Sequence, residues 1–485
     1  MRVLVFNVYS NLPYLASDSA YNLSVEFAKY LRKHYPKWFA YIVVPDDAHM
    51  DISWRGDEKE LEEQNIAYFL KIRGVEKMDN GAASFMGKEI LSGLRSLPIY
   101  WDVILNNNPW RMVDYLLLCS RVGLEPSGIV SKPDWFLNRT WFTTGNVTRF
   151  LRDMLVFYSR YYPVVMHSKY CLKLLGLDEE SDEAQTLLKW GLMHPPYDGE
   201  KIIVETDKGD GPYPRIIFNH RFKPYTGFTT MLRAVHYLVK KENRRDFRII
   251  LSSEQKIVGG SFGTSAELKN MLEDIEEVII WEDMRRGNYF HVLSKCDAAL
   301  AWHEPLVNGW SISVTEAVAS GCYPIVHGQA FYKEMLGEDL PTYNLDWTGL
   351  VDAIRFFLDN QSYCRKLAQH YRDVVKKWSW ETQIHKWVGV LKMAIDEKND
   401  GKLSFLRDLI RGLDVVDFST VCGISKSSAG EHKIRSGRYS LSVTGQKSNF
   451  ISGVVNTLRS EGYEDIGGKI PIFMKVRALD GEGNG

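Results

Sequence analysis

Short apolar runs and amphipathic stretches alternate along the first half of the chain, and this alternation predicts strands joined by helices. Strands are predicted over five apolar runs, at 2–6, 39–44, 101–105, 128–130 and 164–168. Leu23, Phe27 and Leu31 recur at helical spacing, which predicts a helix over 21–34. Because strands that alternate with helices pair in parallel, the first half is predicted to be a doubly wound α/β sheet.

The same alternation returns in the second half of the chain. Gly, Asp and Pro are concentrated in 198–214, which predicts a linker between two domains. Beyond this linker, strands are predicted at 215–218, 247–252, 277–281, 298–302 and 323–327. Late helices are predicted at 350–358, 362–380 and 382–395. The pattern therefore predicts a second parallel sheet and two Rossmann-like domains, at 1–197 and 215–377.

The C-terminal segment 400–485 is predicted to be an accessory domain. A short helix over 403–410, a glycine turn and the sequence Ser-Lys-Ser-Ser predict a mostly helical fold with helix-turn-helix character. The basic residues of this segment are Lys426, Lys433, Arg435, Arg438 and Lys447. Spaced cations with serines between them suit contacts with nucleic-acid phosphates. The alternative interpretation is a structural or oligomerising appendage.

Composition limits the classes of function. A hydrophobic content of 45% in 485 residues suits a well-buried globular enzyme of two or three domains. The net charge of −1 argues against tight non-specific binding of nucleic acid, but it leaves room for a local basic patch. Six scattered cysteines without metal-ligand spacing predict thiols in a reducing compartment. No run approaches the roughly 20 apolar residues of a membrane span, so a cytoplasmic protein is expected, in a host cell if the source is a virus.

The most specific pattern lies between Ala298 and Cys322. An apolar strand there leads through a glycine-containing bend into a helix that carries Glu316. Free backbone N–H groups at such a helix N-terminus form an anion site suited to a diphosphate. The N–H groups in question belong to Gly309, Trp310, Ser311 and Ile312. Because an acid about one turn into the helix can accept hydrogen bonds from sugar hydroxyls, the segment predicts a nucleotide-sugar pocket.

The stretch from Ser313 to Cys322, Ser-Val-Thr-Glu-Ala-Val-Ala-Ser-Gly-Cys, resembles the donor-binding motif of family 4 retaining glycosyltransferases of the GT-B fold. The resemblance implies two Rossmann-like domains that face each other across a cleft, with the acceptor on the first and the donor on the second. It also implies that 378–397 is a helix returning to the N-terminal domain. The donor would be a substrate such as a UDP- or GDP-sugar, and neither a cofactor nor a metal is expected.

The first acid of the family motif departs from the pattern. The family spaces its two acids eight positions apart, and Asn308 occupies the position eight before Glu316. The nearest acid is Glu304, twelve positions before Glu316. Either Asn308 replaces the acid that holds the sugar, or Glu304 performs this role from a longer loop. Glu304 as a solvated loop acid is the alternative.

A second motif, Asn219-His220-Arg221, follows the predicted strand 215–218. In the family, an Arg and a Lys in this turn neutralise the departing diphosphate, and fixed cations aimed there lower the barrier. Arg221 fits the Arg position, whereas Thr226 occupies the Lys position, which leaves Lys223 as the nearest substitute. The resemblance implies catalytic roles for Arg221 and Lys223 and a place for His220 in the donor site.

Two further candidates depend on the same resemblance. Trp281 ends a predicted strand where the family seats the donor base, so its ring is either a stacking surface or part of the core. Asp134 follows 128–130, where the family often has an acid, and it is the candidate base for the acceptor hydroxyl. A loop or capping aspartate is the alternative for Asp134. Asp18, in the loop after the first strand, is a weaker candidate of the same kind.

The combination of Asn219-His220-Arg221, His303-Glu304 and the 313–322 motif resembles the tRNA-queuosine mannosyltransferase branch of the GT-B enzymes. With the basic C-terminal segment, it is also similar to virus-type DNA glucosyltransferases. The resemblance implies a nucleic-acid acceptor, with hydroxymethylcytosine or another hydroxymethylpyrimidine of DNA favoured and tRNA as the second choice. The alternatives are a glycosyltransferase acting on a polysaccharide, glycolipid or protein, and an inactive binding protein that keeps the fold.

Overall fold

A computed structural model defines the architecture of the protein. The residues that it describes are 1–7, 15, 18–46, 58–72, 101–107, 129–131, 152, 155–156, 159, 163–205, 212–220, 222, 224–253, 275–282, 286–304, 309–328, 331–341, 343–396, 415–417, 433–436, 439–442, 463–465 and 472–475. Two five-stranded parallel sheets account for most of the strands among these residues.

The first sheet has the strand order β3-β2-β1-β4-β5. Its strands are β1 Arg2–Phe6, β2 Phe39–Pro45, β3 Ala67–Ile72, β4 Val103–Asn106 and β5 Ile129–Ser131. All four pairings are parallel, and Val3 at the centre pairs with both Ala40 and Val103. Consecutive residues of β1 are buried, as expected for a parallel strand that is covered on both faces. The strand order reverses between β1 and β4, which marks a topological switch point.

The second sheet repeats this topology, with the order β10-β9-β6-β7-β8. Its strands are β6 Arg215–Phe218, β7 Arg248–Ser253, β8 Val278–Glu282, β9 Ala298–Leu300 and β10 Tyr323–Ile325. All pairings are again parallel. The order reverses between β6 and β9, so the second switch point lies at their carboxyl ends. The predicted α/β class with two doubly wound sheets is confirmed.

Eleven α-helices are described between residues 19 and 396. They are α1 Ser19–His34, α2 Glu58–Glu63, α3 Tyr170–Leu174, α4 Asp182–Leu188, α5 Phe228–Lys240, α6 Arg286–Ser294, α7 Ile312–Ala319, α8 Tyr332–Leu336, α9 Trp347–Asp359, α10 Gln361–Val375 and α11 Trp380–Asp396. The three late helices that the sequence predicts correspond to α9, α10 and α11. The predicted strand over 164–168 is wrong, because Val164 and Met166 form isolated bridges instead of joining a described sheet, and Met166 pairs in parallel with Leu192.

Asp18 has a structural role at the start of α1. Its carboxylate accepts hydrogen bonds from the backbone N–H groups of Ala20, at 2.8 Å, and Tyr21, at 3.3 Å. This is the geometry of an N-cap, which satisfies N–H groups that the helix itself leaves unpaired. Both hydrogen bonds use Oδ1 of the carboxylate, and the suggestion that Asp18 is an acceptor-side acid stays a prediction.

Helix α11 packs against α1 of the first sheet. The rings of Trp380 and Trp387 contact Phe27 of α1, and the Trp380 indole N–H donates to the buried Glu26 carboxylate at 3.0 Å. Nearby, the Tyr30 hydroxyl donates to Asp198 Oδ1 at 2.7 Å. These contacts hold α11 against the N-terminal half of the protein.

Asp198 is a buried charge within this junction. Burial alone would raise the pKa of Asp198, but Lys201, the Tyr30 hydroxyl and Lys29 together lower it below its usual value. The amino groups of Lys29 and Lys201 each lie 3.4 Å from Asp198 Oδ2. A buried carboxylate is retained where such partners compensate its lost hydration.

The described residues of the C-terminal segment are strands. They are β11 Val415–Asp417, β12 Lys433–Ser436, β13 Tyr439–Ser442, β14 Tyr463–Asp465 and β15 Ile472–Lys475. β11, β15 and β14 form an antiparallel sheet, and β12 pairs with β13 as a hairpin. These short strands are the described part of 400–485, and the expectation of a mostly helical domain concerns a segment that lies mostly outside the described residues. The predicted helix over 403–410 lies outside the described residues.

Among the residues that the structure describes, no helix combines the length and the apolar character needed to cross a membrane.

Candidate functional site

The switch point of the second sheet brings two histidines together. His220 follows β6, and His303 follows the neighbouring strand β9. Their ring centroids are 4.5 Å apart, with the rings nearly perpendicular. Ligands of doubly wound sheets bind in the crevice beyond this point, because the connections leave the sheet on opposite sides there. The two motifs that the sequence singled out therefore meet at the expected ligand position.

His220 has one ring nitrogen with a hydrogen-bonding neighbour and one without. Its Nδ1 lies 3.1 Å from the Ser313 hydroxyl, whereas its Nε2 is buried without a hydrogen-bond partner among the described residues. Burial lowers the pKa of His220 to about 3, so the ring is neutral at physiological pH. His220 can therefore contribute a hydrogen bond to a ligand but not a positive charge.

Asn219 is held in one orientation beside His220. Its Nδ2 donates to the Tyr289 hydroxyl at 2.8 Å and to the backbone carbonyl of Ser313 at 3.0 Å. Because a carbonyl can only accept, the group facing Ser313 must be the amide nitrogen. This leaves Asn219 Oδ1 buried with no partner in the described part of the chain. The oxygen is an acceptor for a ligand hydroxyl or N–H group.

Helix α7 begins at the same place. Ser311 caps it, since the Ser311 hydroxyl accepts from Val314 N at 3.4 Å and also lies 3.1 Å from the Ser313 hydroxyl. The backbone N–H groups of Ile312 and Ser313, in the first turn, have no intrahelical acceptor. The positive end of the helix dipole thus lies beside His220, where an anionic ligand is favoured.

The His303 side of the crevice is a hydrogen-bonded scaffold. Its Nδ1 is bonded to the Tyr332 hydroxyl, and its backbone carbonyl accepts from His327 Nε2 at 2.7 Å. Burial, with smaller contributions from His220 and His327, lowers the pKa of His303 well below its usual value. Burial also lowers the pKa of His327 to about 4. Within the described ranges, no group of three or more His, Cys, Asp and Glu residues is arranged to hold a metal ion.

The two acids of the predicted donor motif have different environments. Glu304 has an exposed side chain, and its backbone N–H donates to the Tyr225 carbonyl at 3.0 Å. Glu316 lies in α7 and is buried, with 1% of its surface exposed. The structure therefore places a buried acid one turn into α7, as predicted, and an exposed acid at the start of the loop that precedes it.

The loop before α7 contacts the region around α3. The Ser168 hydroxyl donates to the Gly309 carbonyl at 2.6 Å. A Cβ atom at Gly309 would lie 2.3 Å from Cys171 Sγ, so only glycine fits this contact. The ring of Trp310 packs on His194, with centroids 5.0 Å apart, and its indole nitrogen is buried without a partner among the described residues. The predicted diphosphate-binding segment at Gly309 and Trp310 is thus held by Ser168, Cys171 and His194, which belong to the first half of the chain.

Replacing Gly309 with alanine is expected to destabilise the protein by about 1–3 kcal/mol, because the new methyl group overpacks against Cys171. Unfolding in denaturant measures this loss. The Cys171→Ala replacement removes the clashing sulfur, so the double variant should recover part of the loss in a double-mutant cycle. Gly389→Ala is the matched control, because nothing lies within 4 Å of the position that its Cβ would take. Additive losses for Gly309→Ala and Cys171→Ala would contradict the contact.

The first switch point carries a directional chain of polar side chains. Ser24 donates to the Ala20 carbonyl at 2.8 Å, Asn7 Nδ2 donates to the Ser24 hydroxyl at 2.6 Å, and Asn107 Nδ2 donates to Asn7 Oδ1. Since the chain starts at a backbone carbonyl, each amide orientation is fixed. Asn107 Oδ1 is left as a buried acceptor with no partner among the described residues. This oxygen suits a hydroxyl or N–H group of a ligand at the first sheet.

Several predicted site residues are not placed by the structure. Arg221, Lys223, Asp134 and Asn308 lie outside the described residues. Trp281 is on the edge strand β8, where its backbone pairs with Ser252 of β7 near the carboxyl end of the sheet. The roles of these five residues therefore stay predictions.

Sequence reasoning missed several polar and aromatic residues at the two switch points. It did not assign roles to Asn219, Ser313, Tyr332, His327, Asn7 and Asn107. Asn219 lies in the Asn219-His220-Arg221 motif, Ser313 begins the 313–322 motif, and Asn107 lies in a polar run directly after a predicted strand. Polar residues at the carboxyl ends of predicted parallel strands were the available signal.

No protein-family model and no curated protein matches the chain. Solved structures do match its fold. HepE of Anabaena, solved in complex with UDP-glucose, is 12% identical with a TM-score of 0.58, over 81% of this chain and 100% of that chain. Sucrose-phosphate synthase from Thermosynechococcus elongatus is also 12% identical, with a TM-score of 0.56, over 81% of this chain and 98% of that one.

A third similar structure is AviGT4, a glycosyltransferase involved in avilamycin A biosynthesis. It is 14% identical with a TM-score of 0.50, over 82% of this chain and 98% of that chain. Together with the two parallel sheets, these similarities show that the chain has the GT-B fold of glycosyltransferases. The finer resemblance to the tRNA-queuosine and DNA-modifying branches stays a prediction.

Proposed function

We propose that the protein is a retaining glycosyltransferase that transfers a sugar from a nucleotide-sugar donor. The observation that carries this proposal is the group of unsatisfied polar atoms at the second switch point. His220 Nε2 and Asn219 Oδ1 are buried without partners in the described structure, next to the N-terminus of α7. Buried polar atoms are normally hydrogen-bonded, so a polar, anionic ligand is the natural complement. The similar HepE structure holds UDP-glucose.

In this scheme the diphosphate binds at the start of α7, to the N–H groups of Gly309, Trp310, Ser311 and Ile312. Glu316 holds the donor ribose, Glu304 or Asn308 holds the transferred sugar, and Trp281 stacks on the base. The donor is a substrate such as a UDP- or GDP-sugar, and the scheme needs neither a cofactor nor a metal. The fixed N–H groups and the helix dipole act on the phosphate charge throughout the reaction.

The reaction breaks the bond between the sugar C1 and the diphosphate oxygen and forms a bond from C1 to the acceptor oxygen on the same face. The acceptor hydroxyl loses its proton, and the nucleoside diphosphate departs with increased negative charge. Because burial leaves His220 neutral, Arg221 and Lys223 are the proposed source of positive charge for this leaving group. Asp134 is the proposed base for the acceptor proton.

The acceptor proposed is a hydroxyl on a modified nucleic-acid base, with hydroxymethylpyrimidine DNA favoured over tRNA. The Asn219-His220-Arg221 motif and the basic C-terminal segment support this choice. Lys433 and Arg435 belong to strand β12 of this segment, and spaced cations suit contacts with a phosphate backbone. A polysaccharide, glycolipid or protein acceptor is the alternative.

An inactive binding protein is the second alternative. Thr226 is buried at the position where the family has a cation, and Asn308 stands where the family has an acid. Both differences would weaken catalysis without removing the fold.

Release of nucleoside diphosphate separates the enzyme from the inactive binder. The purified protein is incubated with UDP- and GDP-sugars, and the released sugar is followed by NMR in its first minutes. The proposal predicts slow donor hydrolysis in which the first product keeps the anomeric configuration of the donor. Release of the opposite anomer would contradict the retaining mechanism, and binding without any turnover would favour the inactive binder.

A further inference from the structure

We propose that Ser313 is a positioning residue that sets the tautomer of His220, so that His220 presents its Nε2 N–H to the diphosphate of the donor. This inference rests on the proposed function. It adds a role for a serine that lies one residue inside α7 and assigns a defined proton arrangement to the donor site.

A continuous chain of hydrogen-bonding groups runs from the start of α7 to His220. Val314 N donates to the Ser311 hydroxyl, which lies 3.1 Å from the Ser313 hydroxyl. The Ser313 hydroxyl in turn lies 3.1 Å from His220 Nδ1. Each serine hydroxyl has one proton to donate and lone pairs to accept, so the protons along the chain can point in one of two directions.

The ligand selects between these directions. If Ser311 donates to Ser313 and Ser313 donates to Nδ1, the His220 proton lies on Nε2. In the opposite direction the proton lies on Nδ1, and Nε2 presents a lone pair. Diphosphate oxygens only accept hydrogen bonds, so they pair with the first arrangement and are repelled by the second. The buried Nε2 then has the partner that it lacks in the described structure.

The surroundings hold both ends of the chain in place. Asn219 Nδ2 donates to the Ser313 carbonyl at 3.0 Å and fixes the first turn of α7. The His220 ring packs edge-on against Phe218, with centroids 5.5 Å apart, and against His303 at 4.5 Å. The ring therefore has little freedom to exchange its two nitrogens. Burial keeps the His220 imidazole neutral, so the ring carries a single N–H proton. The position of that proton decides whether Nε2 donates or accepts a hydrogen bond.

The contribution of Ser313 is tested by calorimetry with UDP, GDP and ADP and with the matching nucleosides. Ser313→Ala is expected to weaken binding of the preferred diphosphate by roughly five- to tenfold, the size of one neutral hydrogen bond. Affinity for the nucleoside should not change, because it lacks the diphosphate. Ser313→Thr keeps the hydroxyl and should restore binding. Ser320→Ala, at the buried opposite end of α7, is the matched control and should leave both affinities unchanged.

Nitrogen NMR of the His220 ring reads the tautomer directly. The wild-type complex with the preferred diphosphate should show the proton on Nε2, and Ser313→Ala should show a mixture of tautomers. Equal weakening of diphosphate and nucleoside by Ser313→Ala would mean a merely structural role and would overturn the inference. Unchanged diphosphate binding would overturn it as well, and in both cases the proposed function would stand. If the wild type bound none of the three diphosphates, the proposed function would fail and the inference with it.

Discussion

Replacing Arg221 with alanine is expected to reduce sugar-transfer turnover by roughly 10²- to 10³-fold, while the protein stays folded. The departing diphosphate gains negative charge in the transition state, and the neutral His220 cannot compensate it. Arg221 directly follows His220 in the sequence and matches the family cation. Steady-state release of nucleoside diphosphate measures the effect, and thermal unfolding confirms that the variant is folded.

The control for this variant is Arg233→Ala, which removes an exposed arginine from α5. Its turnover should equal that of the wild type. The turnover of Lys223→Ala should lie between those of Arg221→Ala and Arg233→Ala if Lys223 supplies the second cation. Full activity of Arg221→Ala would show that the donor assignment is wrong.

Replacing Gly227 with alanine is expected to destabilise the protein by about 3 kcal/mol, the combined effect of a left-handed backbone and overpacking. Gly227 has φ of +83°, and a Cβ atom there would lie 2.2 Å from the Trp302 carbonyl oxygen. That carbonyl belongs to backbone at the second switch point, so it cannot move aside like a flexible side chain. The midpoint and slope of denaturant unfolding measure the loss.

Gly191→Ala provides the matched control for the backbone effect. Gly191 has the same φ of +83°, but a Cβ atom there would meet nothing within 4 Å. Its replacement should cost only about 1–2 kcal/mol, from the left-handed conformation alone. If the two variants were equally destabilised, the close approach of Gly227 to Trp302 would be refuted.

The sheets were largely predictable, because their inner strands are continuous apolar runs. β1 and β6 have the predicted bounds, since a parallel strand that is covered on both faces is apolar at consecutive positions, as both strands are after their first residue. α2 was missed because its sequence, Glu-Lys-Glu-Leu-Glu-Glu, has no apolar face. The run at 164–168 is as apolar as a strand, but in the described structure it forms isolated bridges and no sheet strand, which local sequence cannot reveal.

The site was predictable only at the level of motifs. Its chemistry depends on contacts between segments that are distant in sequence, such as His220 with His303 and Gly309 with Cys171. The neutral state of His220 follows from burial, which no sequence pattern specifies. Asn219 Oδ1 lacks a partner among the described residues because the amide nitrogen makes the hydrogen bonds to Tyr289 and Ser313. These properties arise from tertiary packing, so they could not be derived from residue spacing.

The most direct test of sugar transfer is a mass-shift assay. The purified protein is incubated with a panel of nucleotide sugars and with hydroxymethylcytosine DNA, hydroxymethyluracil DNA or bulk tRNA as acceptor. The proposed function predicts a gain of one hexose or pentose on one of the DNA acceptors, or on tRNA as the second choice. Donor turnover without a nucleic-acid product would move the acceptor to a glycan, lipid or protein. Absence of donor turnover with every nucleotide sugar would contradict the proposal that the protein is a glycosyltransferase.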